Sequence, residues 1–469
     1  MKSAMNLSYD AVIIGGGPAG IGAALGLEET FSNILLIEAG RHFDKRICPV
    51  DRQKKCHGCN NLCNVISGFG GCIHYGDGIK LSKFPSGRRL FEKIGEEKSM
   101  ELSNVALELI SPDKTVEFSS PKLNDTIFSL KNYEIGILPE HKVKSTIGDL
   151  YERIEHSESI TLVQESQVCR LEKNDNYEIT YVNKGLEIKV TSPVVIVAVG
   201  RFGREWWKET VRQLGLTYNL PNPSVGIRFE LPNHYLKNAY EIHHDFKTTI
   251  ELNGLKTKTF CLCSGEGGGR IKFTDYGEYT LLDGHIAPES DLKTANFALL
   301  IQLKNGDGKP VDDTWIQEKL LQPFINLRKE RGGKPVIQWY PDFRSNSITC
   351  SSRKEYTKIT NLEPSLKDLE FVRLSSIFSK EVHNTFCEVF ELLLEQFISE
   401  IDGASIEQAL RDVSVIGLEL ENLWDEIEVN EYMESSLENL FVCGDCNGLA
   451  QGILQSFVSG LAAAENFKN

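Results

Sequence analysis

With 469 residues, 41% of them apolar and 25% charged, the chain has the make-up of an ordinary globular protein of two or three domains. Its net charge of −15 disfavours a broad nucleic-acid or anionic-membrane surface. No run reaches the roughly 18 apolar residues of a membrane span, and the polar opening Met1–Tyr9 leads straight into an apolar strand, so a cytoplasmic protein with no membrane partner is expected.

In chain order, Ala11-Val12-Ile13-Ile14 has the composition of a buried parallel strand. Gly15-x-Gly17-x-x-Gly20 follows, then a small-residue helix from about Pro18 to Glu29 and a second apolar strand, Ile34 to Ile37, ending on Glu38. Strand, glycine turn, helix, strand and acid in this order form a dinucleotide-binding fingerprint. Gly15 permits the tight turn, Gly17 lets backbone N–H groups approach a diphosphate, and Gly20 lets the helix lie close to the sheet. The helix N-terminus offers unpaired donors to phosphate, and Glu38 can accept from a ribose diol.

Residues 42–87 read as loop. Cys48, Cys56, Cys59 and Cys63 fall within 16 residues of it. Four thiolates at that spacing could hold zinc or an iron–sulfur cluster, serve as a dithiol relay, or be reduced, partly buried thiols. The run Ser67-Gly68-Phe69-Gly70-Gly71 has little side chain to pack and suits a backbone lying against a ligand. Just beyond it stand His74, Asp77 and Lys80.

From about Leu90 to Pro139, short alternating pieces such as Leu107–Ile110 and Thr115–Phe118 predict an inserted antiparallel segment. Lys144–His156 has a helical stripe of Ile147, Leu150, Tyr151 and Ile154. An extended stretch from Ile160 to Val168 and two alternating strands, Tyr177–Val182 and Leu186–Val190, form a β-meander. The buried strand from Val194, closing at Gly200-Arg201, returns to the parallel sheet. Strand-like pieces at Ser224–Glu230, Phe260–Cys263, Tyr279–Leu282 and Ala298–Leu303 precede two helices, Asp313–Arg331 and about Ser376–Ile401. The latter carries a core stripe of Val382, Phe386, Val389, Leu393, Phe397 and Ile401. Last, a strand ends on Cys443-Gly444-Asp445, and a helix begins near Gly452-Ile453. There Asp445 can bind a sugar or ribityl hydroxyl, and the helix end a phosphate or ring carbonyl. The expected fold class is α/β. A discontinuous Rossmann-like domain of parallel sheet and meander (1–90, 140–221 and 411–469, with 90–140 inserted) is joined to a mixed α+β cap or substrate domain at 222–410.

The N-terminal fingerprint, the Val-Ala-Val-Gly strand at Val197–Gly200 and the C-terminal Gly444-Asp445 before a helix resemble the FAD-binding domain of glutathione-reductase-like flavoproteins. The Cys48-to-Lys80 segment, Val225-Gly-Ile-Arg-Phe-Glu230 and Phe260-Cys-Leu-Cys263 are similar to the bacterial and archaeal FAD-dependent dehydrogenase family, related to the HI0933-like flavoproteins. The resemblance implies that Gly15, Gly17, Gly20 and Glu38 hold the ADP half of FAD, and that Gly16, Pro18, Ala19, Ala39 and Arg46 also bind the cofactor. It implies that Val168 meets adenine through its backbone, that Gly200 lines the adenosine, and that Gly70-Gly71 faces the isoalloxazine. Gly444, Asp445, Gly452 and Ile453 would hold the ribityl arm and ring. The chain departs from the family's run at Cys72 and His74, a bulkier and titratable edge that implies a specialised substrate.

The resulting expectation is an FAD-dependent oxidoreductase moving hydride or electrons to or from a small organic substrate. His74 would transfer a proton, with Asp77 or Lys80 as its partner. No second GxGxxG follows a strand, so electrons would come from transiently bound NAD(P)H, from the substrate, or from a redox partner protein through the cysteine cluster. Two other classes compete: a flavin-dependent tRNA-modifying protein, which the acidity opposes, and a module in which FAD is structural.

Overall fold

The computed structural model describes residues 7–468, apart from 60–61, 75, 123–126, 222, 276–278, 303–310, 312, 329–333, 399–404 and 422–423. Five short apolar strands form one all-parallel sheet, in the order Leu440–Val442, Val194–Val197, Ala11–Ile14, Ile34–Ile37, Ile160–Val163. The three central strands are buried at every residue, as expected of a sheet covered on both faces. Pro18 opens the first helix, Pro18–Leu27, where its missing N–H costs nothing. That helix packs on the last one, Ile453–Glu465, through small residues: a Cβ on Gly460 would meet the Ala19 carbonyl oxygen at 2.0 Å. The two ends of the chain are thereby held against each other. The expected meander is present as Ser166–Lys173, Tyr177–Asn183 and Leu186–Ser192, joined by Leu7–Ser8.

A second, eight-stranded mixed sheet has its own apolar core, in which Phe229 and Phe390 stack with centroids 4.0 Å apart. Phe390 lies on the helix Lys380–Ile398, whose Phe386, Val389 and Leu393 are buried as their spacing predicts. The Phe397 side chain and Ile401 lie outside the described residues, as do Leu303 and the end of the 313–331 helix, which is described to Leu327.

Two sequence expectations need correcting. Leu107–Ile110 is the end of a helix, Glu96–Ile110, rather than strand. Its buried Leu102, Ala106 and Ile110 recur every four residues, and the alternation in its last turn is local. Ser414–Glu421 does not belong to the first unit either. It pairs with Ser224–Pro232 on one side and Val336–Trp339 on the other, inside the large sheet, so the chain returns to the parallel sheet only after Glu421. The inserted segment also adds Ser129–Leu130 to that sheet's edge.

Candidate functional site

Four of the five parallel strands deliver their C-terminal ends to one cavity of about 450 Å³. Ile14-Gly15, Ile37-Glu38-Ala39, Ala198-Val199-Gly200 and Gly444-Asp445 are all on its wall, with Ser166–Val168 from the first meander strand. Ligands of open α/β sheets bind at this edge. Gly15 has φ +114°, and a Cβ there would stand 2.3 Å from the Ala198 carbonyl oxygen, so the turn requires glycine. Gly17 differs: a Cβ would have only Gly71 Cα near it, at 3.8 Å, and would otherwise project into open space. A cradle that a methyl group would begin to fill fits a diphosphate lying on the Gly17 backbone. A Cβ on Gly20 would meet the Gly15 carbonyl oxygen at 1.8 Å, which is the close packing expected of the third glycine.

Of the residues expected to hold the cofactor, Gly15, Gly17, Pro18, Ala19, Glu38, Ala39, Gly71, Val168, Gly200, Gly444 and Asp445 line this cavity. Gly16, Gly20, Arg46, Gly70 and Ile453 do not, and Gly452 lines a neighbouring one. Glu38 is 6% exposed, and its carboxylate accepts from Gly16 N (2.7 Å), Gly40 N (2.7 Å) and Gly68 N (2.9 Å). Three of a carboxylate's roughly four acceptor positions are thus engaged. Its evident work is to stitch the glycine turn to the cysteine loop, with one position on Oε2 left for a ribose hydroxyl. Arg46, fully buried, donates to the carbonyls of Asn64, Val65, Phe69, Gly71 and Ile73, so it staples that loop rather than facing the cavity. The Gly70-Gly71 turn rests on Gly16-Gly17: Gly70 N donates to the Gly16 carbonyl at 2.8 Å.

The three residues expected to act in catalysis do not converge. His74, 1% exposed, bonds through Nε2 to Asp51 Oδ2 at 2.8 Å and lines neither cavity. Asp77, fully buried, is ion-paired with Lys272 and with Arg270 Nε at 2.9 Å, and His285 Nδ1 lies 3.3 Å from it. Lys272 also pairs with Asp51. The result is a buried chain, His285–Asp77–Lys272–Asp51–His74, of which His285 reaches the cavity wall. Burial lowers His74 to about 4, helped by the Lys272 charge and opposed by Asp51. Burial also holds His285 well below the usual histidine range, so both imidazoles are neutral. Burial alone would raise Asp51, but His74 and Lys272 pull its carboxyl well below the usual range. Lys80 belongs to a different group, with Asp245 at 3.0 Å and the sulfurs of Cys261 and Cys263 each at 3.9 Å.

Among the described residues no three His, Cys, Asp or Glu side chains of the cysteine loop or elsewhere converge on a point an ion could occupy. Cys48 instead turns into an apolar cluster with Val50, Val65 and Ile271, and Cys56 and Cys63 pack on the rim of that cluster. Burial raises Cys48 to about 12 and Cys63 to about 11. These cysteines pack, with Val50 and Val65, on the hairpin Gly269–Asp275/Thr280–Ile286.

That hairpin supplies what the sequence did not reveal. Asp283, Gly284 and His285 reach across to the cavity, where Asp283 pairs with Arg201 at 2.6 Å. Arg201, Glu205 and Asp445 also line a second cavity of about 780 Å³ between the two sheets. The second cavity carries seven cationic side chains, among them Arg88, Arg89, Lys131, Lys247 and Lys258, against four acidic ones. Lys131 makes no ion pair among the described residues. Desolvation by the cleft walls, and then the like charges of Lys258 and Lys247, hold the ammonium of this exposed lysine below the usual range.

No protein-family model matches the chain. An uncharacterised protein from Clostridium beijerinckii is 24% identical over 479 aligned residues, covering 97% of this chain and 80% of that one. Among solved structures, a geranylgeranyl bacteriochlorophyll reductase-like protein from Thermoplasma acidophilum aligns with a TM-score of 0.41 at 13% identity, covering 98% of this chain and 78% of that one. The flavin-dependent halogenase CmlS aligns at 0.41 and 12% identity, over 99% of this chain and 58% of its own. An aklavinone-11 hydroxylase in complex with FAD and aklavinone aligns at 0.39 and 8% identity, over 99% and 62%. At these scores the likeness is loose.

Proposed function

We propose that the protein is an FAD-dependent oxidoreductase that binds its flavin without a covalent link and acts on a small organic anion. The observation that carries this is a single cavity walled both by the Gly15–Ala19 turn, where a diphosphate fits, and by Gly444-Asp445, where a sugar-alcohol arm fits. Flavin, when bound, supplies hydride and electron transfer. The chain's own residues bind and orient. The N-terminus of Pro18–Leu27, capped by no side chain, would offer its N–H groups to the diphosphate. Asp445, raised by burial and partly restored by Arg201, offers acceptors where the two cavities meet. His285, on the cavity wall with its Nδ1 3.3 Å from Asp77 Oδ2, is held neutral by burial and the Lys272 charge. The cationic second cavity, in a chain of net charge −15, favours an anionic substrate by local field.

The test is the visible spectrum of the purified protein, followed by heat release and mass identification of the chromophore. Released FAD supports the proposal. A folded wild-type protein that is colourless and refuses added FAD would overturn it.

A further inference from the structure

The strand Leu255–Cys263 slips by one residue against Thr294–Gln302 between Phe260 and Cys263. Inside this bulge Cys261 has φ +48°, in the left-handed region that few side-chain-bearing residues adopt. Residues two apart on a regular strand stand about 7 Å apart on one face. Here the bulge brings the Cys261 and Cys263 sulfurs to 3.6 Å. Lys80 Nζ lies 3.9 Å from each sulfur and is anchored by Asp245 at 3.0 Å and by the Leu262 carbonyl. Arg228 Nη1 is 3.4 Å from the Cys261 carbonyl oxygen. Cys261 is only half-buried, and its sulfur is 3.4 Å from the Gly284 carbonyl oxygen, on the residue that forms part of the cofactor-cavity wall.

We propose that Cys261 and Cys263 form a redox-active dithiol that closes to an intrachain disulfide behind the cavity wall, with Lys80 as its positioning residue. The Cys263 S–H bond, then Lys80 and Arg228, lower Cys261 against the opposing effect of burial, while burial and the neighbouring sulfur raise Cys263. One thiolate and one thiol side by side are the two partners of thiol–disulfide exchange. With a low-molecular-weight disulfide as oxidant, the Cys261 thiolate attacks one sulfur, the S–S bond breaks and a thiolate leaves. Cys263 gives its proton to that thiolate and attacks the Cys261 sulfur, expelling the second thiolate. Two electrons pass from the protein dithiol to the external disulfide, and charge and protons balance. This pair lies apart from the Cys48–Cys63 loop and needs no metal.

The experiment uses the purified full-length protein with whatever cofactor it carries. It is equilibrated in dithiothreitol buffers of graded oxidation, acid-quenched, denatured, alkylated with N-ethylmaleimide and digested with trypsin. The fragment between Lys258 and Arg270 contains these two cysteines and no other. It is expected to pass from doubly alkylated to unalkylated and two hydrogens lighter as the buffer becomes oxidising. A fragment that stays doubly alkylated at every ratio overturns the proposal. In reduced protein near neutral pH, K80M should slow iodoacetamide modification of this fragment about tenfold and move its pH profile upward, while K80R keeps most of the rate. An unchanged profile in K80M removes Lys80 from the site. Because the readout is a bond between two sulfurs, it fails or succeeds separately from the flavin proposal.

Discussion

Two glycines of the same fingerprint respond oppositely to one methyl group. At Gly17 a Cβ finds its nearest neighbour at 3.8 Å and an ordinary negative φ, so G17A should fold with a loss of at most about 1 kcal/mol at this helix cap. It should nevertheless be purified with far less bound flavin. At Gly20 the same methyl meets a carbonyl oxygen at 1.8 Å, and G20A should lose roughly 1–3 kcal/mol or more of stability. Urea melts together with bound-FAD absorbance separate the cases, and G17A retaining its full flavin content would remove the diphosphate from Gly17. His74 makes a prediction in pH. Its folded value of about 4 lies below the free histidine value, so the unfolded chain takes up the proton first and stability falls as pH drops from 6.5 towards 4. Between pH 6.5 and about pH 5 this amounts to about 2 kcal/mol. H74Q, with no imidazole to keep neutral, should lose about that much less over the same range in urea midpoints, and an identical acid slope in both proteins would sink the assignment. The glycines were legible in the sequence because their work is local, within about 30 residues. Lys80 and His74 were legible as titratable groups, but not their roles, because Cys261, Cys263 and Asp51 come from other parts of the chain.

The two terminal helices form the element on which the cavity depends. Their contact is backbone to backbone: Gly22 would carry a Cβ 2.7 Å from the Phe457 carbonyl oxygen, and Gly460 one 2.0 Å from that of Ala19. G460A must push the helices apart at Ala19, a cavity-lining residue, so it should cost roughly 1–3 kcal/mol and weaken flavin retention together. Thermal melting with and without added FAD checks this, and a destabilised variant that binds FAD with unchanged affinity would show that the helix contact does not shape the cavity. The parallel strands and this helix pair were readable because buried parallel strands are continuous apolar runs. The assignment of Ser414–Glu421 was not, since an apolar strand does not specify which sheet it joins. The hairpin that carries Asp283–His285 was invisible as a site element for the same reason: no motif marks it, and only its pairing and packing bring it to the cavity.

At the scale of the whole molecule, acidity and a basic interior coexist. A chain of net charge −15 repels anions at long range, yet the larger cavity between its sheets concentrates lysine and arginine. Several of these are already spoken for: Lys247 pairs with Asp245 at 2.9 Å, Lys258 with Glu421, and Arg89 with Glu426. Lys131 is the cation on that wall with no ion pair among the described residues, and desolvation, then its like-charged neighbours, destabilise its ammonium. An anion entering the cavity relieves that repulsion, so binding should raise stability by linkage. Small carboxylates or inorganic phosphate are therefore expected to raise the melting temperature of the wild type at low salt. The shift should shrink in K131Q and fade as added sodium chloride screens the cleft. A panel in which neutral or cationic compounds stabilise the protein while anions do not, or in which K131Q responds as the wild type does, would remove the anionic substrate and leave the flavin cavity without an assigned acceptor or donor.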